Sequence, residues 1–280
     1  MEKISKAQVK LVRSLQQKKF RDELGLFVAE GDKCVEELRK GFEIQLLIIN
    51  EQLTSRETDV RTVAATQREI EQMSGLRTPQ GVIGVFKKSD TSDTSDQSDK
   101  SDDLILALDG IQDPGNLGTI IRTCDWFGVK DIYCSLDTAD CYNPKVVQAT
   151  MGALARVRLH YVSLSEFIKE YRAQNTEYRP IYGTLLEGKN MYEVLNSNSV
   201  CTMSGEAGLC SVSPKDGPSI IVMGNEGNGI SQEVRRLITQ PIRIPSYPAN
   251  KEASDVVESL NVSIATAIVL AEFRRLTTNG

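Results

Sequence analysis

Between Leu104 and Leu276, short runs of aliphatic and β-branched residues alternate with stretches of helical periodicity, and no other feature narrows the fold of this chain so far. Leu104–Leu108, Asp131–Ser135, Val157–Tyr161, Ile181–Thr184, Ser219–Met223 and Ile242–Ile244 read as strands. Gly118–Phe127, Pro144–Ala153, Leu164–Ala173, Gln232–Thr239 and Ser259–Leu276 read as helices, and a Gly/Ser/Cys-rich irregular stretch precedes Ser219. Alternation of this kind implies an α/β fold, a mostly parallel sheet with helices on both faces. Ligands of such sheets sit at the carboxyl ends of the strands.

Ahead of this region lies Ser89–Asp103, a Ser-Asp repeat with six Asp, one Lys and no aliphatic or aromatic residue. A segment with nothing to bury cannot offset its ordering entropy, so residues 89–103 read as a flexible linker. The expected domains are therefore 1–88 and 104–280. The first reads as a small α/β unit: helix Ser5–Arg21, strand Leu26–Ala29, helix Lys33–Lys40, strand Gln45–Ile49, helix Thr66–Met73 and strand Val82–Phe86. The net charge is −5, yet Lys3, Lys6, Lys10, Arg13, Lys18, Lys19 and Arg21 face only Glu2 in the first 21 residues. Such a local excess attracts phosphates, and Lys10, Arg13, Lys18 and Lys19 are the candidate contacts to an RNA backbone.

Several classes are excluded early. No apolar run approaches the ~20 residues that span a bilayer, and Met1–Lys10 has no apolar signal core, so no membrane partner is expected and the cytoplasm is the expected compartment. Six scattered cysteines without a Cys-x-x-Cys pair read as free thiols. With His160 as the single histidine, a multi-histidine metal site is ruled out, and no metal is expected. His160 lies in an alternating strand-like stretch and reads as structural.

Three loops carry chemistry. The first, Asp109–Gly118, runs into a helix that presents Arg122; Asn116 there reads either as a helix cap or, with Arg122, as part of a phosphate site. The second follows strand Ser219–Met223 and reads GNEGNG from Gly224, with Glu226 among three glycines that permit close backbone approach to a ligand. Its glycine order is not the G-x-G-x-x-G of dinucleotide folds, and a P-loop Lys-Ser/Thr is absent. The third begins at Ile244 and Pro245 and, after a polar connection of residues 246–258, reaches Ser259, Leu260 and Asn261 at the start of an Ala-rich helix.

Taken in order, NLGTIIRTCDWFG from Asn116, IVMGNEGNGIS from Ile221, and IP from Ile244 with SLNVSIATA from Ser259 resemble the three signature motifs of the SpoU (TrmH-type) RNA 2'-O-ribose methyltransferases of the SPOUT superfamily. The resemblance covers residues 104–276, and KLVRSLQQKKFRDELGLFVAEGDKCVEEL from Lys10 resembles the substrate-binding domain fused ahead of that catalytic domain. It implies a deep trefoil knot in the C-terminal domain, a rare departure from unthreaded topology. It also implies S-adenosylmethionine as cofactor, rRNA or tRNA as substrate and a homodimer. The implied catalytic positions are Asn116, Arg122, Glu226, Ser259 and Asn261. The implied cofactor positions are Thr184, Leu185, Gly224, Gly227, Ile244, Pro245 and Leu260, largely through backbone groups. The alternative is an RNA-binding or ribosome-assembly factor that keeps the scaffold without catalysis.

Overall fold

A computed structural model describes residues 2–53, 60–89, 104–174, 179–196, 219–247 and 259–278. Those residues form two compact units. The first takes in described residues of Met1–Ser95, Asp113–Arg122 and Ala139–Val157; the second takes in those of Asp96–Gln112, Thr123–Thr138 and Arg158–Gly280.

In the first unit, β1 (Glu2–Lys3), β2 (Leu26–Glu30), β3 (Ile44–Asn50), β4 (Thr62–Ala65) and β5 (Val82–Lys87) make a mixed sheet in the order β1-β4-β3-β5-β2. Helices α1 (Lys6–Ser14), α2 (Lys18–Leu24), α3 (Asp32–Leu38) and α4 (Gln67–Met73) accompany it. Val12, Leu15, Ile70 and Met73 join Val28, Ile48, Val63 and Ile83 in one apolar core. The single helix expected over Ser5–Arg21 is two helices. Ser5 and Gln8 form a reciprocal capping box that starts α1, and the chain becomes extended at Gln17 (ψ 133°) before α2. The interruption lets the Arg21 guanidinium turn inward, donating through Nη1 to Leu15 O and Gln16 O, both at 3.0 Å, and through Nη2 to Asp140 at 2.7 Å. Arg21 is 2% exposed, so it leaves the surface cluster of positive charge.

The second unit holds β6 (Leu104–Asp109), β7 (Asp131–Cys134), β8 (Arg158–Tyr161), β9 (Ile181–Asn190), β10 (Ser219–Gly224) and β11 (Gln240–Arg243), all parallel, in the order β11-β9-β10-β6-β7-β8. Alternation along the strands places helices on both faces. Ile181, Ile220 and Val222 pack with Leu164 and Ile168 of α7 (Leu164–Gln174) and Val234 of α9 (Gln232–Arg235). Tyr182, one residue along from Ile181, meets Phe273 of α10 (Val262–Thr278) edge-on at 4.9 Å. The expected parallel sheet is therefore the one found. Several boundaries differ: among them, β9 runs on to Asn190, α9 stops at Arg235, α8 (Met191–Asn196) occupies the start of the stretch read as irregular, and α10 begins at Val262 rather than Ser259.

His160 lies on β8 with Nε2 at 2.7 Å from Asp131 Oδ1, and its ring stacks on Tyr133. Burial opposes ionisation of Asp131, but hydrogen bonds from Arg158 and His160 outweigh it and hold the carboxyl well below the usual range. Cys34, Cys124, Cys134 and Cys141 are buried free thiols, and burial pushes Cys34 up to about 11, far from a reactive thiolate. Cys201, Cys210, linker residues 90–103 and connection residues 248–258 lie outside the described residues, and so does any threading of the chain through that connection. Among the described residues, no helix is long and apolar enough to cross a membrane, and no group of three or more His, Cys, Asp or Glu could hold a metal ion.

Candidate active site

The glycine-rich loop is fastened to the strand beside it. Gly224 of β10 pairs in register with Asp109 of β6, so the carboxyl ends of the two strands are neighbours. Asn225 then does three things with one side chain. Its Nδ2 donates to Gly110 O at 2.7 Å, and its Oδ1 accepts from Gly227 N at 2.8 Å and Asn228 N at 3.1 Å. The loop closes on itself through Asn225 N to Gly229 O and Gly229 N to Asn225 O, and Ser231 N donates to the buried Asp109 carboxylate at 2.7 Å. Glu226 is carried exposed at the tip of this braced turn. A Cβ at Gly224 would come within 2.4 Å of Gly229 C, so the strand end and the returning loop fit together only with glycine there.

Beside it, β9 steps out of the ladder. Gly183 pairs with Val222 and Pro241, whereas the next pair with β11 is Lys189 with Ile242, which skips Thr184–Gly188. Return of the strand needs Gly188, where a Cβ would lie 2.5 Å from Ile242 backbone atoms. Thr184 stays anchored by its hydroxyl to Val222 O at 3.3 Å, while Leu185 to Glu187 lie outside the register of either neighbour. Ile244 and Pro245 follow Arg243, the last ladder residue of β11. Thr184 and Leu185, where β9 leaves the ladder, Gly224 and Gly227, at and just beyond the end of β10, and Ile244 and Pro245, just beyond β11, thus belong to three strands adjacent in that sheet. Backbone released from a ladder presents donors and acceptors to a ligand, and the exposed Leu186 (68%) adds apolar surface. This is a donor set suited to an amino-acid and nucleoside cofactor such as S-adenosylmethionine.

At α10 the cap is Asn261, whose Oδ1 accepts from Ser263 N at 3.0 Å and Ser263 Oγ at 2.6 Å; Ser259, whose hydroxyl also has the chemistry of a cap, lies ahead of the helix and exposed. Leu260 between them is 47% exposed.

Asn116 and Arg122 belong to the first unit and share one helix, α5 (Pro114–Trp126). Asn116 is not its cap. The helix begins at Pro114, the carboxylate of Asp113 accepts from Asn116 N at 2.8 Å, and Asn116 sits inside the first turn. Proline at the first helical position explains the earlier start, since its missing N–H would be unpaired there anyway. Arg122 is exposed, and its guanidinium makes no hydrogen bond or ion pair among the described residues. Lys10 and Arg13 on α1, and Lys18 and Lys19 on α2, are all exposed; Lys18 pairs with Asp22 at 2.8 Å. The residues that sequence reasoning missed are Asp109, Asn225 and Ser231. An acid ending an apolar strand and an Asn ahead of two glycines are the signals that could have found them.

Fold and loops define an α/β protein whose second unit is a parallel sheet with glycine-rich, polar loops at the strand ends, as in α/β proteins that bind their ligands there. More particularly, the chain belongs to the SpoU rRNA methylase family, which it matches over residues 103–271, and residues 6–84 match an MRM3-like substrate binding domain. It is 25% identical over 278 residues, 98% of each chain, to a 23S rRNA (guanosine(2553)-2'-O)-methyltransferase, RlmP, of Bacillus subtilis. A solved TrmH-family structure from Porphyromonas gingivalis superposes with a TM-score of 0.76 at 34% identity, covering 98% of this chain and 99% of that one. The AdoMet-bound rRNA methyltransferase from Sinorhizobium meliloti superposes at 0.74 with 29% identity, covering 99% and 97%. The chain is an RNA 2'-O-ribose methyltransferase that uses S-adenosylmethionine.

Proposed function

We propose that the substrate is ribosomal RNA, that Asn116, Arg122, Glu226, Ser259 and Asn261 serve the reaction, and that two copies of the chain form the working enzyme. The observation that carries the cofactor site is the step of β9 out of its ladder at Thr184–Gly188, beside the braced loop after β10. S-adenosylmethionine supplies an electrophilic methyl group on a sulfonium. Thr184, Leu185, Gly224, Gly227, Ile244, Pro245 and Leu260 hold it. Arg122 anchors the phosphate beside the target ribose through its bidentate guanidinium. Asn116 supports it from the first turn of the same helix, and Glu226, Ser259 and Asn261 orient the ribose and the loops around it. Holding the 2'-oxygen in line with the methyl group supplies much of the rate. The hydroxyl proton leaves late, to that phosphate or to water, because a guanidinium is a poor base.

The ribosomal reading is supported by the B. subtilis relative and by the substrate-binding match in residues 6–84. The proposed division of labour is that residues 1–88 bind RNA and residues 104–280 carry the chemistry. Dimerisation is supported by large apolar side chains left in solvent, Trp126 at 85% and Ile264 of α10 at 54% exposure. The test is transfer of labelled methyl from the cofactor to total RNA, followed by nuclease digestion. Label is expected in nuclease-resistant, ribose-methylated dinucleotides of ribosomal RNA. Label in bases would reject the ribose assignment, and bound RNA without label would return the chain to the non-catalytic alternative.

Replacing Lys10, Arg13, Lys18 and Lys19 together with Ala should weaken RNA binding and reduce the slope of log affinity against log salt by up to about three, with cofactor binding unchanged. The existing pair with Asp22 makes Lys18 the smallest contributor. An unaltered slope would move the RNA surface elsewhere.

A further inference from the structure

Where α1 ends and α4 ends, the first unit holds a cleft of about 460 Å³ lined by Arg13, Gln16, Gln17, Glu71, Gln72 and Ser74, with Met73 at its base. That volume lies within the ~300–1,000 Å³ typical of ligand sites. One wall is set by Gln16 Nε2, which donates to Met73 O at 3.3 Å. Arg13 and Glu71 line the same cleft without pairing. Among the described residues the Arg13 guanidinium makes no hydrogen bond or ion pair, and the Glu71 carboxylate accepts only from Gln67 Nε2, through Oε1 at 3.0 Å.

Chemistry narrows the occupant. A phosphate needs a positive site, and here the one carboxylate cancels the one guanidinium. A carboxylate accepts only, a guanidinium donates only, and amides do both. Guanine alone among the RNA bases puts two donors side by side, N1–H and the 2-amino group, where a single carboxylate can take both. On the adjoining edges it puts two acceptors, O6 and N7, which suit a guanidinium. Adenine and cytosine pair one amino donor with an acceptor, and uracil has one imino donor between two acceptors. We propose that this cleft receives an unpaired guanine of the substrate RNA, with Glu71 accepting from N1–H and the 2-amino group and Arg13 donating to O6 and N7. Lys6, Lys10 and Arg13 recur at the spacing of one helical face and are all exposed, so α1 carries a row of positive charge for the flanking phosphates up to the cleft. The inference rests on the reading of the N-terminal unit as RNA-binding and adds base selection to it.

The test uses the full chain and fluorescence anisotropy with five labelled RNA hairpins that share a stem and differ only in one loop nucleotide: G, A, C, U or inosine. The guanine loop should bind about tenfold more tightly than A, C or U. Inosine, which lacks the 2-amino group, should fall in between. Glu71→Gln and, separately, Gln72→Ala should flatten the ranking while leaving the salt slope and melting temperature as in the parent. Equal binding of all five hairpins, or a guanine preference that survives Glu71→Gln, overturns the cleft assignment while the RNA-binding reading stands. Failure of the parent protein to bind any hairpin overturns both.

Discussion

Arg122→Lys should lower single-turnover methyl transfer by about 10- to 100-fold at every pH, the worth of a charge-assisted bidentate contact of ~1.5–3 kcal/mol. Lysine keeps the positive charge but loses the planar fork that grips a phosphate at two points. Cofactor affinity should stay near that of the parent. Because Arg122 is exposed and its guanidinium is bonded to no described residue, its replacement removes no structural contact, so the loss reports function rather than folding. Asn116→Ala should show a milder form of the same defect, since Asn116 sits within the first turn of the helix that carries Arg122. If Arg122 were the general base, a lysine that titrates more readily would retain activity, with a rate that climbs in alkali. A robust Lys variant with such an alkaline limb sinks the anchor role.

The second large effect is on stability and involves a different arginine. Arg21→Ala should destabilise the first unit by about 3–5 kcal/mol, since it strands a carboxylate: Asp140 is 12% exposed and loses the guanidinium that donates to it from Nε and Nη2. Two carbonyls, Leu15 O and Gln16 O, lose their donor at the same time. Replacing the pair together, as Arg21→Met with Asp140→Leu, should recover much of the loss, because apolar groups leave no buried charge unpaired. Urea unfolding followed by circular dichroism measures both variants. A single variant within about 1 kcal/mol of the parent would show that water or a neighbour replaces the contact. The salt dependence of RNA binding should not change in either protein, because Arg21 does not face solvent.

Those two arginines mark the limit of what a sequence can say about charge. Seven basic residues before position 22 form one cluster in the sequence, and nothing local tells Arg21 from Lys19. Burial of Arg21 depends on Asp140, 119 positions away, and on an interruption at Leu15–Gln17 that the helical period of Val9, Val12 and Leu15 conceals. The caps behave alike. Asn116 and Ser259 have the chemistry of caps, yet Asp113 and Asn261 do the capping, because Pro114 fixes where one helix starts and the Asn261 carboxamide reaches Ser263 in the other. Short elements such as β1 and β4 pass unnoticed in sequence, since two to four residues hold too few repeats of any period and gain their stability only from pairing with each other and with β3.

By itself the sequence determined the α/β class and parallel sheet of the second unit and the positions of the three loops rich in glycine and polar residues. Each follows from information within a few residues: hydrophobic period, β-branching, glycine and proline. Tertiary structure alone decided the strand order β11-β9-β10-β6-β7-β8, the step of β9 out of register at Thr184–Gly188 and the bracing of Glu226 by Asn225 against Gly110. These features join residues that are distant along the chain, and their energies come from pairing and burial, which no local pattern encodes.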